Sequence, residues 1–175
     1  HKSIPVATRD ELFDHMHSQN KKFLSYETYA DAQLSDIFTK EQLTDSKTIH
    51  IKTLKSVYLQ NNGNKKLGMQ PLPAAAQLSI VNGIVSTDLK GNGVKDLILA
   101  GNFYPWRVQQ GPLDAGIGLL LNNNGKGNFR PGFFAQTGLY IPGDVRNLIS
   151  VTTNNGLFLI AVKNHDAVQV LKEND

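Results

Sequence analysis

The chain has 175 residues, 40% hydrophobic and 19% charged, with a formal net charge of +3 and no cysteine. That is the composition of a globular domain with a modest core and not of a disordered chain. The basic residues are scattered, with Lys21-Lys22 and Lys65-Lys66 as short pairs, so no nucleic-acid-binding stripe is marked. The lack of cysteine excludes disulfides, thiolate zinc sites and cysteine nucleophiles, and no apolar run approaches the roughly 20 residues that span a bilayer.

Residues 1–54 read as short helices. Thr8-Arg9-Asp10-Glu11 has the form of a capping box, an oxygen acceptor followed three residues later by a carboxylate. Leu12, Phe13 and Met16 follow at helical spacing, then Tyr26, Tyr29 and Ala30, then Leu34, Ile37 and Phe38. Thr39-Lys40-Glu41-Gln42 is a second capping box. Helices this short need a surface to pack on.

Beyond residue 54 the pattern changes to apolar runs separated by Asn/Gly turns, which predicts a mainly β region over 55–175. Two hairpins are expected, turning at Asn61-Asn62-Gly63-Asn64 and at Asn123-Asn124-Gly125, because Asn and Gly tolerate the positive φ of tight turns. The region repeats. A 62-residue shift carries Tyr58-Leu59-Gln60-Asn61-Asn62-Gly63 onto Leu120-Leu121-Asn122-Asn123-Asn124-Gly125, and the same shift carries Leu97–Asn102 onto Leu159–Asn164. A period near 60 residues with about four strands per unit points to antiparallel β-propeller blades.

Strands are expected near 80–87, 96–101, 116–122 and 128–131, and then near 145–152, 157–163 and 167–171. Residues 55–77 thus form an outer half-blade, 78–133 a full blade and 134–175 a final blade without a fourth strand. Incomplete blades leave unpaired edges, so further polypeptide, of the same precursor or of another envelope protein, is expected to complete them. An export signal is expected on that longer precursor. The helical insert 1–54 and the loop 103–115 interrupt the same connection of successive blades, which predicts that both emerge on one face.

Two segments carry candidate chemistry. Asp88-Leu89-Lys90-Gly91-Asn92-Gly93-Val94-Lys95-Asp96 fits a tight cation loop between strands, with side-chain oxygens of Asp88, Asn92 and Asp96 and the Val94 carbonyl as ligands. An EF-hand is excluded, since that loop wants flanking helices and its last carboxylate at position twelve. In the next unit the same positions are Ser150, Asn154 and Phe158, which predicts a plain turn there. The second segment is the 103–115 loop, where Phe103, Tyr104, Trp106 and Arg107 cluster. These residue types anchor recognition surfaces, and they also pack loops onto their own domain. His15 and His17 lie two apart on a helix and make a poor metal pair, and no nucleophile elbow or phosphate loop is present.

"NGIVSTDLKGNGVKDLILAGN" with "LLLNNNGKGNF" resembles the FG-GAP/VCBS repeats of integrin-like propellers. "PVATRDELFDH", "KKFLSYETYADAQLSDIFTKEQL", "AGNFYPWRVQQG" and "IPGDVRNL" are similar to the C-terminal end of large exported VCBS-repeat proteins of Bacteroidetes-type bacteria. The resemblance implies an extracytoplasmic, non-catalytic propeller at the cell surface or in the periplasm, with calcium loops of the form D-x-D-G-D-G-x-x-D. This chain departs at the third loop position, which is Lys90. Its ammonium repels a cation, or turns to solvent beside a weak site, or takes the cation's place against Asp88 and Asp96; a plain metal-free turn is the further reading. The expected function is ligand or protein binding, with a glycan among the possible partners; the alternatives are part of a larger polysaccharide-active enzyme and a structural surface scaffold.

Overall fold

The computed structural model describes residues 2–17, 21–107 and 110–173. The chain divides into two compact units, His1–Lys52 and Thr53–Asp175.

Among the described residues the first unit holds four short α-helices: α1 (Arg9–His15), α2 (Tyr26–Ala30), α3 (Leu34–Ile37) and α4 (Lys40–Asp45). Both expected capping boxes form. Glu11 N donates to Thr8 Oγ1 at 3.3 Å and Thr8 N donates back to Glu11 Oε2 at 2.8 Å; Thr39 and Gln42 repeat the exchange. Phe13, Phe23, Tyr29, Ala32 and Ile37 make the core, with Phe23 stacked on Phe13 and both rings edge-on to Tyr29. Tyr26 and Ala30, expected to share the face of Tyr29, are exposed instead, and the Tyr26 hydroxyl donates to Asp10 at 2.7 Å. A one-turn helix turns few side chains inward, so Phe23 and Ala32, from the flanking loops, fill the place that helical spacing gave to Tyr26 and Ala30.

The second unit is mainly β and antiparallel. Its strands are β1 (Val57–Asn61), β2 (Leu67–Pro71), β3 (Val81–Thr87), β4 (Asp96–Gly101), β5 (Leu119–Asn123), β6 (Phe129–Gly132), β7 (Val145–Thr153), β8 (Gly156–Lys163) and β9 (Gln169–Lys172). They form a two-stranded sheet β1-β2, a four-stranded sheet β3-β4-β5-β6 and a three-stranded sheet β7-β8-β9, each in sequential order; these sheets close no ring. Two short helical elements that the sequence pattern did not predict are a 3-10 turn at Ala74–Gln77 before β3 and α5 (Phe134–Thr137) after β6, which ends at Gly138 in the left-handed conformation.

The 62-residue shift is visible in the strand pairing. Leu97–Gly101 and Leu159–Lys163 both lie on the second strand of their sheet, and β1-β2 has the hairpin form of β5-β6. Leu99 pairs with Ile84 and Ala161 with Leu148, so Ile84 and Leu148 are equivalent; Val85 and Ile149 correspond by the same logic. Even the irregularity recurs. A bulge separates Val81 from Gly83 in β3 and Val145 from Asn147 in β7.

The two larger sheets stack front to back. Val85, Ile98 and Ala100 on one face of the four-stranded sheet bury against Leu148, Leu159 and Ala161 on the facing side of the three-stranded sheet. The first strands approach closely at Gly83, where a Cβ would lie 2.6 Å from that of Leu148. Asn82 ties them by donating from Nδ2 to Val145 O at 2.9 Å. On the opposite face, Leu99 and Leu121 pack with Ala76, and Tyr58 of β1 meets Phe129 edge-on at 5.3 Å.

Candidate functional site

The Asp88–Asp96 segment is the turn between β3 and β4. Gly91 and Gly93 hold φ of +61° and +78°, which the tight bend requires. The backbone takes most of the oxygens expected as ligands. Asp88 Oδ1 accepts from Lys90 N at 3.2 Å and Asn92 N at 3.1 Å, and Oδ2 accepts from Gly93 N at 2.6 Å. These amide donors, Gly93 foremost, hold the Asp88 carboxyl below the ordinary aspartate range. Asn92 Oδ1 accepts from Val94 N at 2.9 Å, and Asp96 Oδ1 from Asn123 N at 2.7 Å.

One carboxylate oxygen, Asp96 Oδ2, is buried without a hydrogen-bond partner. The Lys90 ammonium lies 3.6 Å from it and donates to Asn122 Oδ1 at 2.7 Å. The Lys90 ammonium therefore faces Asp96 and not Asp88, which is engaged by backbone amides. With a cationic side chain among the donors and a single carboxylate oxygen uncommitted, this arrangement is a poor fit for calcium. Among the described residues, no group of three or more His, Cys, Asp or Glu side chains is placed to hold a metal ion. The equivalent turn in the next sheet is a tight hairpin closed by Thr153 and Gly156.

The 103–115 loop leaves β4 and returns to β5. Phe103 and Leu113 close its base as an isolated bridge, with N–H···O distances of 2.9 Å in both directions. Residues 108 and 109 lie outside the described residues. The Phe103 and Trp106 rings meet edge-on at 6.2 Å, and the Trp106 indole N–H donates to Gln110 Oε1. Tyr104 and Trp106 remain 46% and 42% exposed, so neither is committed to the core, while Phe103 and Arg107 are half-buried. Beneath the base, Asn102 is buried at φ +110°. Its side chain accepts from Gly116 N and Ser79 Oγ and donates to the carbonyls of Gly116 and Gly143, joining the loop's two ends to the start of the next sheet.

The structure adds two residues that sequence reasoning missed. Asp144 is buried just before β7, and its Oδ2 accepts from Arg146 Nη2 at 2.7 Å and from Asn164 Nδ2 at 3.1 Å. The Arg146 guanidinium sits over the Phe103 ring at 5.3 Å from its centroid. The 62-residue shift sets Asp144 against Asn82 and Arg146 against Ile84, so it gave no signal for them; the strand pairing shows the true correspondence. The first repeat has Ile80 and Asn82 at the places of Asp144 and Arg146, since Asn102 N donates to Ile80 O and Asn164 N to Asp144 O at 2.9 Å each.

The two buried carboxylates, Asp96 and Asp144, each face their own cation in different sheets and form no acid–base pair. An apolar cleft of about 200 Å³, lined by Leu78, Ile80, Val81, Leu99, Phe133 and Phe134 among others, has no titratable side chain in its wall. No helix among the described residues is long and apolar enough to cross a membrane. No protein-family model, no curated protein and no solved structure matches this chain.

Proposed function

We propose that the chain is a non-catalytic segment of a repeat β-propeller of an exported bacterial protein, a scaffold that presents the 103–113 loop to a partner. Its end sheets are completed by further polypeptide carrying the same repeat. One observation carries this reading: large apolar side chains are exposed at positions whose repeat mates are buried. Ile84 is 60% exposed where Leu148 is 3%, and Ile149 is 44% exposed where Val85 is 5%. Leu59 and Val162 stand in the same relation to the buried Leu121 and Ala100. A front-to-back interface used once inside the chain thus leaves an unused front on the three-stranded sheet and an unused back at the other end. Contiguous apolar faces of this kind mark contact surfaces.

The free strand edges agree. Among the described residues β1 pairs with β2 alone and β9 with β8 alone. A cleft of about 360 Å³ lies between the two larger sheets, lined by Ile98 and Leu120 of one and by Leu157, Leu159 and Leu171 of the other. Within this scaffold Tyr104 and Trp106 supply exposed aromatic area on a loop with a hydrogen-bonded base, the usual make-up of a recognition anchor.

The test compares binding of wild type and Trp106→Ala to fractionated cell-envelope polysaccharide and protein, with circular dichroism to show that both are folded. Loss of a true aromatic anchor weakens binding by about thirtyfold, or roughly 2 kcal/mol. Equal binding by the two proteins at the same salt would place the surface elsewhere.

A further inference from the structure

Resting on the reading of the 103–113 loop as a recognition surface, we propose that Asp144 and Arg146 are its positioning pair. Asp144 fixes the guanidinium of Arg146, which holds the Phe103 ring and, through it, the presentation of Trp106.

The geometry runs in an unbroken line. Asp144 Oδ2 accepts from Arg146 at 2.7 Å, the guanidinium covers Phe103 at 5.3 Å, and Phe103 meets Trp106 edge-on at 6.2 Å. Arg146 is the bulged residue of β7, and a bulge re-aims one side chain out of the sheet's alternation. Its counterpart Asn82, on the bulge of β3, binds backbone carbonyls instead, Asn102 O and Val145 O at 2.9 Å each. The same backbone device thus serves sheet packing in one repeat and the loop in the other.

The same backbone place takes an apolar side chain in the first repeat, where Ile80, 39% exposed, stands for the buried Asp144. Burying a carboxylate there is costly, and Asp144 Oδ1 is buried with no hydrogen-bond partner. An ion pair in such a setting stabilises little compared with an apolar replacement and is better explained by what it orients. What it orients is the only side chain of the three-stranded sheet seen stacked on a ring of the 103–113 loop among the described residues.

Trp106 is the single tryptophan, so its fluorescence reports this loop alone. Two variants are compared with wild type by emission maximum, acrylamide quenching, far-UV circular dichroism and thermal unfolding. Arg146→Met keeps the aliphatic stem and removes the charge. The double variant Asp144→Ile/Arg146→Asn installs the pair found in the first repeat. Both are expected to unfold cooperatively with native-like dichroism, while the emission shifts to the red and the undocked loop population rises about two- to fivefold. Arg146→Lys, which retains a cation for Phe103, restores part of the protection. The proposal is overturned if quenching stays at the wild-type level in both variants, if Arg146→Lys is no better than Arg146→Met, or if the double variant loses cooperative unfolding, which would make the pair a requirement of the fold. No ligand enters these measurements. Undiminished binding by Trp106→Ala would sink the recognition reading and leave the quenching result standing.

Discussion

At the scale of single residues, Lys90 decides the character of the β3–β4 turn. Its ammonium faces the buried Asp96 carboxylate where a divalent cation would need that oxygen free. Lys90→Asp removes the charge and adds a carboxylate, and isothermal titration is expected to show tighter calcium binding than wild type; equal or weaker binding would show that Lys90 is not what limits the site. Asp88 offers a second check. Because its folded pKa is depressed by amide donors, it contributes stability that is present above the ordinary aspartate value and lost as pH falls through the folded pKa. Carboxyl NMR titration should place Asp88 below the ordinary aspartate value, and Asp88→Asn should flatten the acid limb of the stability curve there. That Asp88, Asn92 and Asp96 belong to one loop was legible from spacing. That Asp88 and Asn92 would spend their oxygens on backbone amides was not, because hydrogen-bond partners within a turn depend on its φ values and not on residue order.

At the scale of elements, equivalent positions have unequal energetic roles. Leu148→Ala removes a buried side chain between two sheets and should cost about 2–5 kcal/mol in denaturant unfolding. Ile84→Ala, at the matching place of the preceding sheet, should stay within about 0.5 kcal/mol, because Ile84 is exposed in this chain. A large loss for Ile84→Ala would contradict the register equivalence or the exposure. Gly83 marks where β3 meets β7. Its Cβ would lie 2.7 Å from the Leu148 amide nitrogen as well as against the Leu148 side chain, so Gly83→Ala should destabilise by about 1–3 kcal/mol. Strand positions were largely readable, since Asn/Gly turns and apolar runs act locally. The helix α5 was not, being four residues long with no side-chain cap at its start. The inward face of α2 was misjudged because its single turn is packed by Phe23 from outside the helix.

At the scale of the whole molecule, the second unit exposes large apolar side chains such as Ile84, Ile149 and Val162 on its sheet faces. Light scattering is expected to show concentration-dependent association of the chain alone, reduced by Val162→Lys on the unused front of the three-stranded sheet; a strictly monomeric wild type would argue against an exposed sticky face. Sequence alone determined the antiparallel, mainly β character, the 62-residue repeat and both capping boxes, since turn chemistry, alternation and caps are encoded within a few neighbouring residues. Only the tertiary structure decided which apolar residues are buried, where Lys90 turns, and that Arg146, paired with Asp144, reaches across to Phe103. Those outcomes depend on which sheet face lies opposite which. Contacts of that kind join residues about 40 apart along the chain, such as Phe103 and Arg146, and leave no local pattern from which to read them.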